Sequence, residues 1–438
     1  MISDCSQPTF IIEIEGHRLS RNITNEITSF VFEDNEEEMD VMEVTVNNRN
    51  LQFVDDPLLQ EGNEIIACFG YVNNLSPKKV AVIKEIDYDF PDGSEPTIRI
   101  KAYDKGHKLT GKQIQRVWQK PAPGILYSEI AEQIAHEHGL SASVEPTTGR
   151  HMRVVQGNAS DASFLKNLAS KSRSAKGNAG YVFFIQDNEL HFHSRKLNGR
   201  PGLVLEYFTD AEGMLRSFTP STQSQCTKGS GTETKTIGVD PRNKRHAEHK
   251  SNNDNTPDRT VLGKKTYLGD GNSGEGKYRK QESGKILPSY EHTESRHERP
   301  KHEPGQDHAE SRFTNTELKQ VEATAMTIGI PTLVAKQNIE IRGVGMKFSG
   351  IYYCTSAHHV FQDGYSCELK LKRNALGKGA GAKSTDAKGK RNELTAPKHP
   401  KKGATITQKQ SKASAPRPVK PKPKMVRINA NTGQIISK

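Results

Sequence analysis

The chain has 438 residues, 33% hydrophobic and 26% charged, with a formal net charge of +11, a length that suits two or three domains with separate cores. The basicity is local: residues 377–438 hold 16 Lys and Arg against Asp386 and Glu393, a net of +14, so residues 1–376 sum to −3. No apolar run reaches the ~18 residues of a membrane helix, the opening MISDCSQP lacks the basic and apolar regions of a secretory signal, and Cys5, Cys68, Cys226, Cys354 and Cys367 show neither an even count nor a paired spacing, which points away from a disulfide framework or zinc knuckle and toward reduced thiols in a soluble protein made in a cytoplasm.

Residues 1–110 alternate apolar and polar side chains as half-buried strands do, in FIIEIEG from Phe10, ITSFVFED from Ile27, MDVMEVTVNN from Met39, NEIIACFGY from Asn63, KKVAVIKEIDYDF from Lys78 and PTIRIKAYD from Pro96. Turn chemistry at Glu15-Gly16, Asp34-Asn35, Asn73-Asn74 and Asp92-Gly93 suits antiparallel neighbours. A first β-barrel domain buries such faces without long free edges. Residues 111–215 change texture. Pro121 and Pro123 end the β pattern, Ile125, Ile130 and Ile134 share a helical face with Gly139 as its cap, and DASFLKNLASKS from Asp161 makes a second helix capped by Ser160 or Asp161 with Phe164, Leu165 and Leu168 inward. YVFFIQDNELHFHSR from Tyr181 then reads as a hairpin turning at Asp187-Asn188, which makes this a small α+β domain.

Residues 216–376 read as a second β-barrel domain, opened by FTPSTQSQCTKGSGTETKTIGV from Phe218 and resumed at VEATAMTIGIPTLVA, NIEIRGVGMKFSGIYYCTSAHHVF and YSCELKLKR. A hydrophilic insertion at about 246–312, rich in His, Glu, Lys, Asn and Pro, splits it, with a brief ordered piece expected at TVLGKKTYLG from Thr260. From 377 to 438 the chain becomes a flexible, disordered Lys-rich tail. At its end the segment 425–437 regains alternation around Asn431-Thr432-Gly433, a hairpin signature. Val426, Ile428, Asn431, Gly433, Ile435 and Ile436 are therefore candidate partner-docking residues, adding strands to a partner's sheet edge while the linker holds them nearby.

Candidates for chemistry are weak by comparison. His246, His249, His292, His297, His302 and His308 suggest a metal but spread over a segment without apolar support, so no metal or cofactor site is assigned. Cys354 and Cys367 near His358 and His359 evoke a nucleophilic pair, yet adjacent strand residues face opposite ways, and a packed strand histidine is the plainer expectation. Asp87, Asp89 and Glu129 resemble surface charge more than the paired acids of a wall hydrolase. Hence no catalytic residue is assigned. The tail's lysines would bind phosphate without sequence preference, but the tail has no aromatic residue for base stacking, so nucleic acid is disfavoured as a partner.

Three ordered blocks resemble the late control protein D family of phages, related to the T4 tail hub and the head region of type VI VgrG proteins. They are FIIEIEGHRLSRNITNEITSFVFEDNEEEMDVMEVTVNN with KEIDYDFPDGSEPTIRIKAYDKGHKL, then VVQGNASDASFLKNLASKSRSAKGNAGYVFFIQDNELHFHSR, then TIGIPTLVAKQNIEIRGVGMKFSGIYYCTSAHHVFQDGYSCELKLKRNAL. The resemblance implies a mainly β fold with α+β: two hub-type β-barrels and a smaller domain. It further implies a non-enzymatic homotrimer whose pseudo-sixfold ring joins a hexameric tail tube, or a tube initiator, to a trimeric central spike in a virion baseplate or similar injection particle, assembled in the bacterial cytoplasm. A separate spike polypeptide is expected, because the blocks are followed by linker rather than a spike β-helix, and a tape-measure protein is a further partner for the tail. A tail-associated peptidoglycan hydrolase and a nucleic-acid-binding protein acting through the tail are the alternatives.

Overall fold

A computed structural model describes residues 7–174, 180–207, 215–222, 234–239, 246–251, 260–263, 292–297, 304–377, 427–428 and 435–436. Two compact units divide the chain, Met1–Thr395 and Ala396–Lys438. In the first unit the opening strands are β1 (Pro8–Ile14), β2 (His17–Arg18), β3 (Ile27–Asn35), β4 (Val41–Asn47), β5 (Glu64–Tyr71), β6 (Asn74–Leu75), β7 (Lys79–Asp89) and β8 (Thr97–Tyr103), with helix α1 (Arg21–Glu26) before β3. The six long strands are those expected. Antiparallel ladders run β1-β5-β7-β8-β4-β3. The alternation has its expected physical result, since Met42, Val44 and Val46 of β4 and Ile98, Ile100 and Ala102 of β8 point into one core while their neighbours face out. Glu15 (φ 49°) and Gly16 (φ 74°) both adopt left-handed backbone between the paired Ile14 and His17, the geometry of a two-residue hairpin. Among the described residues no ladder joins β1 to β3; Phe10 stacks on Phe30 at 5.3 Å there, so side chains close the barrel.

The α+β module follows: β9 (Ile114–Gln119), α2 (Tyr127–Glu137), β10 (Ser141–Val144), β11 (Arg153–Ala159), α3 (Asp161–Ala169), β12 (Tyr181–Gln186) and β13 (Glu189–Ser194). The Ser160 hydroxyl accepts from the Ser163 N–H at 3.3 Å and caps α3. Gly139 (φ 67°) ends α2, and Asp187 (φ 56°) turns the β12–β13 hairpin. Strand β12 is buried on both faces, Tyr181, Phe183 and Ile185 toward the core of this module and Val182 and Phe184 away from it. Its unbroken apolar run is the signature of a strand covered on both sides.

The second β module comprises β14 (Leu203–Glu206), β15 (Leu215–Thr222), β19 (Val321–Ile328), β20 (Asn338–Arg342), β21 (Gly350–Gln362) and β22 (Gly364–Arg373), with the short helix α5 (Gly345–Phe348). Its ladder, β15-β19-β22-β21, does not stop at the module boundary. Residues 338–341 of β20 pair with the first part of β21, and residues 356–361 of β21 pair with β3, so one 14-stranded sheet runs through both modules. A register shift between Cys354 and Ser356 marks the change of partner. Phe361, Tyr365 and Cys367 lie in the core of the first module.

Between β15 and β19 the structure departs from expectation. The stretch 246–312, expected to be solvated, contains β17 (His246–Ser251) and β18 (His292–His297), which flank β16 (Thr234–Val239) in a separate three-stranded sheet. Of the described strands overlapping residues 218–239, β15 joins the large sheet and β16 the separate one. Helix α4 (Pro304–Glu317) packs against β16 and β17 and buries His308, Ala309, Ser311 and Phe313. Small polar residues line its inner side, which is why no apolar stripe announces it. Of the expected ordered piece near Thr260, the structure describes 260–263, pinned by Leu262 N–H to Asn374 Oδ1 at 2.9 Å. Among the described residues no helix is long and apolar enough to cross a membrane.

The second unit is described at two short strands, β23 (Arg427–Ile428) and β24 (Ile435–Ile436), which pair antiparallel.

Candidate functional site

The β3–β4 connection belongs to the run EDNEEEMD, residues 33–40, whose composition suggests a solvated acidic turn. Two of its residues, Asp34 and Glu36, are buried. Glu36, 3% exposed, receives Arg195 side-on, Nε to Oε1 at 2.8 Å and Nη2 to Oε2 at 3.2 Å, and the Tyr353 hydroxyl donates to Oε1 at 2.7 Å. Arg195 Nη1 donates to Asn315 of α4. Residues from both β modules, the α+β module and α4 thus meet at one carboxylate. Burial pushes the Tyr353 hydroxyl well above its ordinary range, which keeps it a donor to Glu36.

A second node lies beside the first. Lys336, between β19 and β20, donates to Asp34, lies 3.5 Å from Asp40 Oδ1, and sits 4.6 Å from the centre of the Phe184 ring. Asp34 Oδ2 accepts from Ala335 N–H at 3.1 Å. Asp104, just after β8, accepts from Asp40 N–H at 3.1 Å and Gly106 N–H at 2.7 Å. Three carboxyl groups therefore face one ammonium. Burial, with the Asp34 charge adding, pushes Asp40 well above the usual carboxyl range, and burial pushes Asp104 up to about 6.

Against the Glu36–Arg195 pair opens a cleft of about 330 Å³ whose walls include Lys166, Phe183, Lys319 and Lys372, with Glu37 at the rim. Lys372 Nζ donates to Glu37 Oε1 at 2.8 Å, and Lys166 donates to the Glu37 carbonyl. The Lys372 hydrogen bond holds the Glu37 carboxyl below its ordinary range, and the charges of Lys372, Lys319 and Arg195 act in the same direction. None of these groups is marked by local sequence, because the partners of Glu36 lie 159 and 317 residues along the chain.

Sequence candidates fare differently. His359 is buried, with Nδ1 2.8 Å from the Tyr365 hydroxyl, Nε2 2.9 Å from the Leu333 carbonyl and Cys367 Sγ at 3.1 Å, while His358 on the opposite face is half-buried. Burial lowers the His359 imidazole to about 4 and raises the Cys367 thiol to about 11, the reverse of a thiolate–imidazolium pair. Cys354 is also buried and pushed up. Register puts His246 and His297 on either side of Val239, His249 and His292 elsewhere on β17 and β18, and His308 inside α4; His302 lies outside the described residues. Among the described residues no three His, Cys, Asp or Glu converge as metal ligands. Asp87 pairs with Lys101 at 3.4 Å, and Glu129 with Lys120 at 3.1 Å and Arg150 at 3.4 Å; Asp89 is an exposed residue at the end of β7. Of the docking candidates, Ile428 and Ile435 pair across β23 and β24 and Ile436 lies opposite Arg427; Val426, Asn431 and Gly433 fall outside the described residues.

The chain is similar in structure to the tail protein from Neisseria meningitidis MC58, at TM-score 0.57 and 11% identity, covering 84% of this chain and 97% of that one. It is equally similar to the 43 kDa tail protein of prophage MuSo2 from Shewanella oneidensis, at TM-score 0.57 and 11% identity, covering 84% and 99%. At this identity the likeness is one of fold. No curated protein matches the sequence. The family model that matches is the Alg8 N-terminal domain, over residues 6–363, and not the late control protein D family that the motifs resemble. With the match running from β1 through β21, over most of the chain, the chain belongs to the Alg8 N-terminal domain family and carries a fold shared with phage tail proteins.

Proposed function

We propose that the chain is the structural hub of a contractile phage or phage-like tail baseplate, a non-enzymatic adaptor between the tail tube and the central spike. In this reading three copies close a pseudo-sixfold ring, two β modules from each, so that one side matches a hexameric tube and the other a trimeric spike. The carrying observation is β21, which pairs with β20 and then with β3 and joins two barrel-like modules into one sheet. A ring that transmits load needs the angle between its modules fixed within each subunit, and a shared strand with buried ionic nodes on its flank supplies that. Likeness of fold to two tail proteins along nearly their whole length supports a structural role in a tail.

The decisive measurement is the mass of the full-length chain in solution by light scattering, alone and with its cognate spike. A trimer in at least one condition is expected. A monomer in both refutes the ring. The segment 425–438 is assigned as a docking arm for the spike, tube or tape-measure protein, its antiparallel Ile428–Ile435 pair being the kind of element that adds to a sheet edge.

A further inference from the structure

The cleft beside the Glu36–Arg195 pair carries an unbalanced charge. Lys166, Arg195, Lys319 and Lys372 face Glu36 and Glu37, two positive charges in excess. Glu36 is engaged by Arg195 and Tyr353, so what remains at the opening is three ammonium groups and one carboxylate. Lys166 and Lys319 are exposed, on α3 and just after α4, and Lys372 is on β22, so the three come from separate elements. The floor includes two buried apolar residues, Phe183 and Leu318. We propose that this cleft is a docking site for an acidic peptide segment of a partner protein, its carboxylates on Lys166, Lys319 and Lys372 and an apolar side chain against the floor.

Several features select that ligand. The field at the rim already holds one carboxylate ionised, as the lowered Glu37 shows. The sole guanidinium has Nε and Nη2 on Glu36 and Nη1 on Asn315, so no free fork awaits a phosphate. Lysines are point charges on flexible stems, which suit carboxylates spaced along a chain rather than one compact anion. The chain's own tail, net +14 over residues 377–438, carries the same sign as the cleft.

This inference goes beyond the hub reading and stands without it, since its readout does not involve oligomeric state. The probe is a peptide of about eight residues, mostly Glu with one central Leu, carrying a photoreactive group, added to the full-length protein, with adducts mapped by mass spectrometry. Adducts are expected on segments 166–183 and 315–319. They should fall about tenfold in a Lys166→Ser, Lys319→Ser double variant and recover in the corresponding Lys→Arg pair. Replacing the tail lysines by Ser should leave the cleft adducts unchanged. Both residues are exposed, and equal urea midpoints of the variants check that folding is intact. Adducts confined to 378–438, cleft adducts undiminished in the double variant, or displacement by millimolar inorganic phosphate would each overturn the proposal.

Discussion

Asp104 provides the sharpest test of the junction. Its carboxyl lies in a buried cluster with Asp34, Asp40 and Lys336, and burial raises it from 3.8 to about 6. The folded state then holds a proton that the unfolded state releases, so stability from this group is full below about pH 4 and is lost as pH rises through about 6. Working the linkage for that single group, the loss from ~pH 4.5 to ~pH 7.5 is about 2 kcal/mol. Asp104→Asn keeps the volume and one acceptor oxygen for Gly106 N–H while removing the titration. It places an amide N–H₂ near Asp40 N–H, a roughly pH-independent cost of about 1–2 kcal/mol. Urea unfolding by circular dichroism at several pH values separates the two effects. The variant should be less stable at low pH and gain on the parent by about 2 kcal/mol toward pH 7.5. A constant difference between the curves across that range would refute the buried-carboxyl argument.

Other perturbations follow from the same contacts. Lys336→Met leaves Asp34, Asp40 and Asp104 without their shared cation and should cost about 3–5 kcal/mol in urea unfolding near neutral pH, with a smaller loss in acid where the carboxyls can protonate. Gly70→Ala places a Cβ 2.3 Å from the Asn74 carbonyl oxygen and 2.6 Å from Pro331 Cγ at φ 150°, and a loss of about 2–4 kcal/mol is expected, whereas Gly111→Ala, with nothing within 4 Å, should be near neutral by thermal melting. Deleting residues 425–438 should reduce partner recovery in pull-downs while leaving the melting temperature of the first unit unchanged; recovery equal to the parent would end the docking-arm assignment.

The β strands were legible because each half-buried face writes itself as alternation: Val44 and Val46 in, Glu43 and Thr45 out. Strand β12 was legible for a different reason, an unbroken YVFFI run that needs cover on both faces. Helix α4 was not, since its inner face is His308, Ser311 and Thr314 as well as Ala309 and Phe313, and only Pro304 at its start hinted at it. Joining of the two modules through β21 was equally hidden, because a long strand that changes partner midway looks like any other long strand. The role of the acidic residues 33–40 was not legible at all. Asp34 and Glu36 are buried only because Lys336, Arg195 and Tyr353 arrive from 159 to 317 residues away, and nothing local reports that.

Why charges sit at this junction has a physical answer that can be tested. A buried ion pair is a poor source of stability, since well-packed apolar residues of similar volume commonly do as well or better. A side-on guanidinium–carboxylate pair does demand mutual orientation, however, and here the Glu36–Arg195 plane ties the β3–β4 connection to the end of β13, with Tyr353 and Asn315 fixing it from β21 and α4. Apolar side chains would accept a range of angles between the same modules. In a closed ring each angular error is repeated in every copy, so orientation has consequences that stability alone does not capture. Glu36→Leu combined with Arg195→Leu should therefore leave the unfolding free energy from urea titration within about 1–2 kcal/mol of the parent while reducing the fraction of the proposed trimer seen by light scattering with the spike. Unchanged trimer formation in that double variant would show that the pair is not what sets the angle.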